Sequence, residues 1–372
     1  MASIIYAGMD VHTTNYTLCC YSMEDDRFFA EVQVEPDAKN ILKYLARIEK
    51  QQSRDCRIVC GYEAGCLGYS LYHQLHAHGI DCVILAPTTM MTKPGKRIKT
   101  DRRDARLISK CLAFHTYSPV YIPTEVDDAV KEYIRMRDDA NSALARVKQQ
   151  IIAFCIRHGK IHDGKSYWTN KHLEWLSSLD LGNKILSEVL QEYLIRYYQL
   201  REQVDMYDMR INELAQAEPY RQKVEKLGCF RGIAAHTALS FCVEVGDFRR
   251  FATAQQFASY LGLVPGECSS GDKQQYTGIT KAGNSHLRKL LVETAQVFGR
   301  NATKSGKSVA LKERQAKCDS LTVAYADKAN ARLKKKYFKI AMRSKVNIAK
   351  TAVAREMACF IWGMMTDNIS CA

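Results

Sequence analysis

SIIYAGMDVHTTNYTLCCYSMEDDRFFAEVQVE, residues 3–35, decides the fold class. It contains three apolar runs, SIIYAGMDV, NYTLCCY and RFFAEVQV, separated only by short polar turns such as Glu24-Asp25-Asp26. Spacing this tight predicts an antiparallel meander. Next, a helical pattern runs from Asp37 to Lys50, with Ile41, Leu42 and Leu45 on one face. CRIVCGYEA (56–64) reads as a buried strand ending in Glu63, and a helix carrying Leu71, Leu75 and His78 stops at Gly79. DCVILAP (81–87) is another strand, and a basic loop then leads to a helix opening at Asp101. The order β-β-β-α-β-α-β-α implies a mixed sheet with helices outside it.

Open α/β sheets place their sites beyond the carboxyl ends of the strands. Asp10 and Glu63 each end a strand, and Asp101 and Asp104 lie in KTDRRDARL, Lys99 to Leu107. On a helix, residues three apart have Cβ atoms roughly 5–6 Å apart. Taken alone, the motif is a plain helix start, with Asp at N-cap and N3. A strand-end Asp, a strand-end Glu and this pair, in that order, ask for more. Four carboxylates converging at one sheet edge match the hard oxygen ligands that Mg²⁺ prefers. Two such ions about 4 Å apart stabilise the attacking and leaving oxygens at a phosphodiester. Lys93, Lys96, Arg97, Lys99, Arg102, Arg103 and Arg106 form a collar suited to a nucleic-acid backbone.

Bulk properties agree. The 372-residue chain should hold two or three domains, and its 47% hydrophobic content can fill a core. Its net charge of +14 points to a polyanionic partner, nucleic acid or anionic membrane. Membrane is disfavoured, because no apolar run approaches the roughly 18 residues of a spanning helix. Val346–Met365, the most apolar late segment, is interrupted by Lys350, Arg355 and Glu356 and reads as a packed or interfacial helix. The start of the chain does not read as a signal peptide. The 14 cysteines include no Cys-x-x-Cys pair and read as reduced core residues of a cytosolic protein. His73, His76 and His78 lack a nearby cysteine to complete a site and read as surface or packing histidines.

The middle of the chain is helical. Leu186, Leu190, Tyr193, Tyr197, Leu200, Val204, Tyr207, Ile211 and Leu214 recur at 4-3 spacing over four heptads. This seam fits a dimer or an intramolecular hairpin with the helix over residues 126–158. From Tyr220 the chain is a compact α-rich unit. Gly228 and Gly232 interrupt helical patterns, in a hairpin that could offer backbone N–H groups to a phosphate. CSSGDKQQYTGITKAGNSHLRKLL reads as a loop before an amphipathic helix. Ser269 and Ser270 sit beside glycine, where serine is usually a turn residue but can be a nucleophile if activated. Lys328–Lys350 holds nine basic and no acidic residues, with Tyr337 and Phe338 among them. That composition suits phosphate contact and base stacking.

The combination resembles the DEDD transposases of small bacterial insertion sequences, described as bridge-RNA-guided recombinases. The matching segments are GMDVH, YEAG and KTDRRDAR, then GIAAHTA, FATAQQFASYLGLVPG, SSG and ITKAGNSHLRKLL. The hairpin departs from the usual Pro-Gly-Ile-Gly, reading Phe230-Arg231-Gly232-Ile233-Ala234. The resemblance implies an α/β plus α architecture. A RuvC-like, RNase H-type domain would span residues 1–117, a helical and coiled-coil region 118–219, and a transposase domain 220–372. It implies that Asp10, Glu63, Asp101 and Asp104 bind Mg²⁺, with Mn²⁺ as a substitute, and that Ser270 attacks DNA to form a transient phosphoserine link. Implied partners are donor and target DNA, a structured noncoding guide RNA and further copies of the chain, in the bacterial cytoplasm at the nucleoid. The expected nucleic-acid contacts are Lys96, Arg97, Lys99, Arg102, Arg103, Lys273, Lys281, Arg288, Lys334, Lys335, Lys336 and Lys339. Two other readings compete: a hydrolytic nuclease such as a junction resolvase, and a non-enzymatic architectural protein.

Overall fold

Alternation along the first strand sets the layers of the N-terminal unit. A computed structural model describes residues 3–51, 56–90, 100–267, 276–300 and 306–369. It divides into two units, Met1–Ile122 and Pro123–Ala372. In the first, β1 (Ser3–Val11), β2 (Tyr16–Ser22) and β3 (Arg27–Val34) form the expected meander. β4 (Cys56–Glu63) runs parallel to β1, and β5 (Asp81–Leu85) runs parallel to β4. The sheet order is β3-β2-β1-β4-β5. On one face, Ile5, Ala7, Met9, Cys60 and Tyr62 join a core with Ile41, Leu45, Leu71 and Leu75 of α1 (Ala38–Gln51) and α2 (Ser70–Ala77). On the other, Tyr6, Val59 and Leu85 pack with Ile108, Cys111 and Leu112 of α3 (Asp101–Phe114).

Successive strand residues point to opposite faces. Asp10 therefore shares the α3 face with Tyr6 and Gly8, and Glu63 shares it with Val59 and Gly61. Gly8 and Gly61 are register partners on adjacent parallel strands. Residues 10 and 63 follow two steps later on each, side by side at the carboxyl edge. The glycines also let α3 lie close. A Cβ on Gly8 would sit 2.1 Å from the Ala105 carbonyl oxygen and 2.4 Å from the Ser109 nitrogen. One on Gly61 would sit 2.8 Å from the Val83 carbonyl oxygen and 3.0 Å from a Leu112 methyl.

The second unit begins with two long helices, α4 (Glu125–Arg157) and α6 (Lys184–Gln216), linked through α5 (Asn170–Ser177). They run antiparallel: Arg137 of α4 makes a bidentate pair with Asp208 of α6 at 2.8 and 2.9 Å, while Phe154 meets Tyr193 edge-on. Leu190, Tyr197 and Val204 are buried against Leu144, Val147 and Ile151. The heptad seam is thus filled from within the chain, the hairpin alternative of the two left open by spacing.

Among the described residues, seven α-helices follow before the last: α7 (Arg221–Gly228), α8 (Ala235–Val245), α9 (Ala254–Tyr260), α10 (Ser285–Ala295), α11 (Val297–Arg300), α12 (Val309–Gln315) and α13 (Ser320–Ala341). The last, α14 (Val346–Met365), is a buried core helix, with Val353, Met357, Ile361 and Met364 sealed from solvent. Among the described residues, no helix is long and apolar enough to cross a membrane. The segment expected as loop instead contains a two-stranded antiparallel ladder, β6 (Pro265–Glu267) with β7 (Tyr276–Ile279). The basic run is split at Met342–Lys345 between α13 and α14. Tyr337 is buried and Phe338 packs on the same core, which removes the expected stacking role of Tyr337. The described cysteines are free and most are buried.

Gly8→Ala is expected to cost roughly 1–3 kcal/mol, typical of overpacking, and to lower the thermal unfolding midpoint. Gly278→Ala is the control, since its methyl group meets nothing within 4 Å. Equal midpoints for the two variants would show that α3 moves outward freely.

Candidate metal and nucleic-acid site

Thr100, not Asp101, caps α3: its side chain accepts from the Arg103 backbone N–H, and its φ and ψ are extended. Asp101 then occupies the first helical position and Asp104 the fourth, so neither carboxylate serves as the cap. The helix start that explained the motif is supplied by another residue, and both acids remain available.

Asp10, His12 and Asp101 present ligand atoms that all lie within 4.8 Å of one another. His12 Nε2 lies 3.2 Å from Asp10 Oδ2. Burial holds the Asp10 carboxyl above its ordinary range; the Asp104 and Asp101 charges push the same way, against the pull of His12. Negative charge is crowded where solvent is partly excluded, an arrangement a cation relieves. Beside it, a cleft of about 400 Å³ is lined by Thr17, Gln33, Thr100, Asp101 and Arg102. Thr17 is the register partner of Asp10, and its buried hydroxyl has no hydrogen-bond partner among the described residues. Two carboxylates, an imidazole and an orphaned hydroxyl fit a divalent ion with retained waters. Glu63 stands outside this tight group, exposed at the end of β4. Asp104 is also outside it, close enough for its charge to act on Asp10. His12 was not anticipated, although residues 10 and 12 of an extended segment point the same way.

The expected cations divide by what they touch. Arg102 reaches Glu31 at 3.4 Å, and Arg106 holds the same carboxylate at 2.6 Å. Lys335 and Lys339 are exposed on α13, and Lys336 pairs with Glu356 at 2.5 Å. Arg103 and Lys334 have interactions within the protein. Lys96, Arg97, Lys99, Ser269, Ser270 and Lys273 lie outside the described residues.

The TKAGN segment interlocks with the end of α9. Gly262 and Gly283 have φ of +64° and +74°, and a Cβ on either would come within 2.1 Å of a carbonyl oxygen across the contact. Lys281 N–H donates to Gly262 O at 3.1 Å, and Asn284 N–H to Tyr260 O at 3.0 Å. Arg288 donates to the Leu261 carbonyl at 2.9 Å and the Ala282 carbonyl at 3.2 Å. This expected nucleic-acid contact therefore also staples the two turns. Lys281 is left exposed with a left-handed φ of 56°.

Family comparisons bear on both units. A DEDD transposase model named for IS110 matches residues 7–156, and one described as "Transposase IS116/IS110/IS902 family" matches 225–313. A putative transposase, y4qE, of Sinorhizobium fredii is 36% identical over 307 residues, covering 82% of this chain and 75% of the relative. The transposase for insertion sequence element IS1533 of Leptospira borgpetersenii is 32% identical over 340 residues, covering 90% and 95%. The chain belongs to the IS110-type DEDD transposase family. This transposase is an enzyme acting on DNA.

Sequence spacing gave no sign of a half-buried ionic cluster within the transposase's second unit. Asp138 of α4 lies 2.9 Å from His236 and 2.8 Å from His286. His286 lies 3.3 Å from Glu244, which also meets Arg135 at 3.2 Å and accepts from Asn284 at 2.9 Å. Burial alone would lower the His286 pKa; Asp138 and Glu244 outweigh it and raise it to about 9. Burial would raise Glu244, but hydrogen bonds from His286 and Asn284 bring it down to about 2. Asp138 is held far below the carboxylate range by the two histidines and Arg137, against burial. The stabilisation from charged His286 is complete below its ordinary pKa of about 6.5 and is lost as pH rises through about 9. Glu244 contributes above about 4.5, and its share is lost as pH falls towards 2. The unfolding midpoint is therefore expected to fall from pH 6.5 to 9.5. His286→Gln should lower it at pH 6 and flatten that slope, measured by calorimetry across the range.

Proposed function

We propose that this transposase cuts and rejoins DNA strands, with Mg²⁺ held at Asp10, Glu63, Asp101 and Asp104 and with Ser270 as nucleophile, directed by a structured noncoding RNA. The observation that carries the metal assignment is the meeting of Asp10 and Asp101 with His12 at the carboxyl edge of the sheet. A bound divalent ion would supply charge neutralisation at the phosphodiester. The side chains present have separate tasks. Asp10, fixed on β1, and Asp101, on the first turn of α3, set the position of the ion. His12 orients the Asp10 carboxylate through its 3.2 Å contact. The exposed Arg102, Arg103, Lys281, Lys335 and Lys339 draw in the phosphate backbone. The Ser270 oxygen would bond to phosphorus as the bond to one neighbouring sugar oxygen breaks, leaving a phosphoserine link that the joining step reverses.

The first unit has the strand order and helix placement that suit a RuvC-like domain over residues 1–117. Residues 118–219 would form the helical region and 220–372 the transposase domain. Function as a homo-oligomer, in the cytoplasm at the nucleoid, belongs to the same reading.

Two variants test it on duplex DNA carrying the element's ends. Asp10→Asn should reduce strand cleavage by at least about 100-fold, as loss of a metal ligand does. Ser270→Ala should abolish strand transfer and the covalent protein–DNA species seen on denaturing gels. Cleavage that survives Ser270→Ala would leave a hydrolytic nuclease instead. Activity indifferent to Asp10→Asn and to chelation would leave an architectural protein. Sequencing of nucleic acid retained during purification should return one discrete RNA; random or absent RNA would count against guiding.

A further inference from the structure

A groove of about 1400 Å³ opens in the second unit between β7, α9, α13 and α14. Its floor is apolar and partly aromatic: Phe360, Trp362 and Ile348 line it, and Ile348 is 54% exposed. Its rim is cationic. Lys281, Arg332, Lys336 and Arg355 line it, against a single carboxylate among the described residues, Glu356. Glu356 is nearly buried and is held below its ordinary pKa, burial notwithstanding, by Lys336 and Arg332. With that carboxylate neutralised, the rim keeps a surplus of three positive charges. Arg355 has no carboxylate partner among the described residues. Lys281 stands at the mouth in a left-handed conformation fixed by the interlocked turns. Strain of this kind persists only where the surroundings over-determine it, and it gathers at ligand clamps.

An apolar floor beneath a rim with surplus positive charge needs an occupant with flat apolar faces and a regular row of negative charges. Duplex DNA presents phosphates and base edges, but its base faces are stacked away. An unpaired strand presents both phosphates and base faces. We propose that this groove seats an unpaired stretch of DNA strand, bases against Phe360, Trp362 and Ile348 and phosphates on Lys281, Lys336 and Arg355. The proposal rests on the transposase reading and adds to it a second substrate contact, on the second unit. A strand cut from one duplex and joined to another must leave its complement in between, so the groove would hold a strand between its release and its joining.

The test uses the full chain and fluorescence anisotropy with a labelled mixed-sequence DNA strand of about 15 nucleotides. The same sequence is offered as duplex and as RNA. Arg355→Gln and Ala352→Glu change the rim and an exposed-side lining position, and thermal unfolding checks both folds. The ratio of single-strand to duplex affinity should fall at least about tenfold in Ala352→Glu. In Arg355→Gln the slope of log affinity against log salt should flatten by about 0.7, one phosphate contact. An unchanged ratio and slope in folded variants would overturn the groove assignment. So would RNA binding more than tenfold tighter than the DNA strand. A wild-type dimer that Ala352→Glu dissociates in sedimentation would assign the groove to a second copy and overturn it too. If Ala352→Glu fails to fold, Arg355→Gln, on the rim, decides alone. Failure of the two readings is separable: a protein that cleaves duplex DNA with an unaltered ratio loses only the groove, whereas one that binds no DNA loses the transposase chemistry itself.

Discussion

The approach of α3 to the sheet at Gly8 and Gly61 governs the acidic site. Any side chain at Gly8 would overlap the helix backbone at Ala105 and Ser109. Because the helix lies that low, its first turn ends up over the carboxyl edge, and Asp101 comes within ligand distance of Asp10. The strand alternation that points Gly8 at the helix also points Asp10 at it two residues later. Packing and chemistry therefore share one register: a slip of one residue in β1 would turn the carboxylate towards α1 and α2 and put a bulky side chain beneath α3.

Much of this was legible in the residues themselves. The three close runs before Glu35, the strand-end acids and the helix opening at Asp101 fix the order and type of the first unit's elements, because periodicity and turn spacing are local properties. What stayed hidden depends on partners far along the chain. Thr100 displaces Asp101 as cap by a shift of one residue, within the ordinary uncertainty of a helix boundary. Tyr337 sits among lysines in the sequence yet faces the core, since a helix turns neighbours to different sides. Arg288 looks like any surface cation until its backbone acceptors are seen. The heptads announce a partner without naming it, and the structure supplies α4.

The second unit joins two requirements that often oppose each other. Its core is closed by the apolar face of α14, while beside α10 it half-buries Asp138, Glu244 and two histidines. Such a half-buried group is tolerable because Asp138 and Glu244 each meet a donor partner at about 3 Å. The cluster ties α4, α8 and α10 together through groups with directional geometry, so it fixes their relative positions more sharply than apolar contact can.

The closed α4–α6 hairpin has a mechanical consequence. Each helix is 33 residues long, which at 1.5 Å per residue gives a strut of about 50 Å. Its root is welded to α8 through Val130, Ile134 and Ile211, and further along the hairpin Trp168 and Trp175 pack on its core, Trp168 stacked on Tyr197 of α6. With the seam filled along its length, the strut cannot shorten or splay without exposing that core. It works as a ruler: whatever docks at the tip is held at a set distance from the root, and trimming one heptad from each helix would draw it in by about 10 Å.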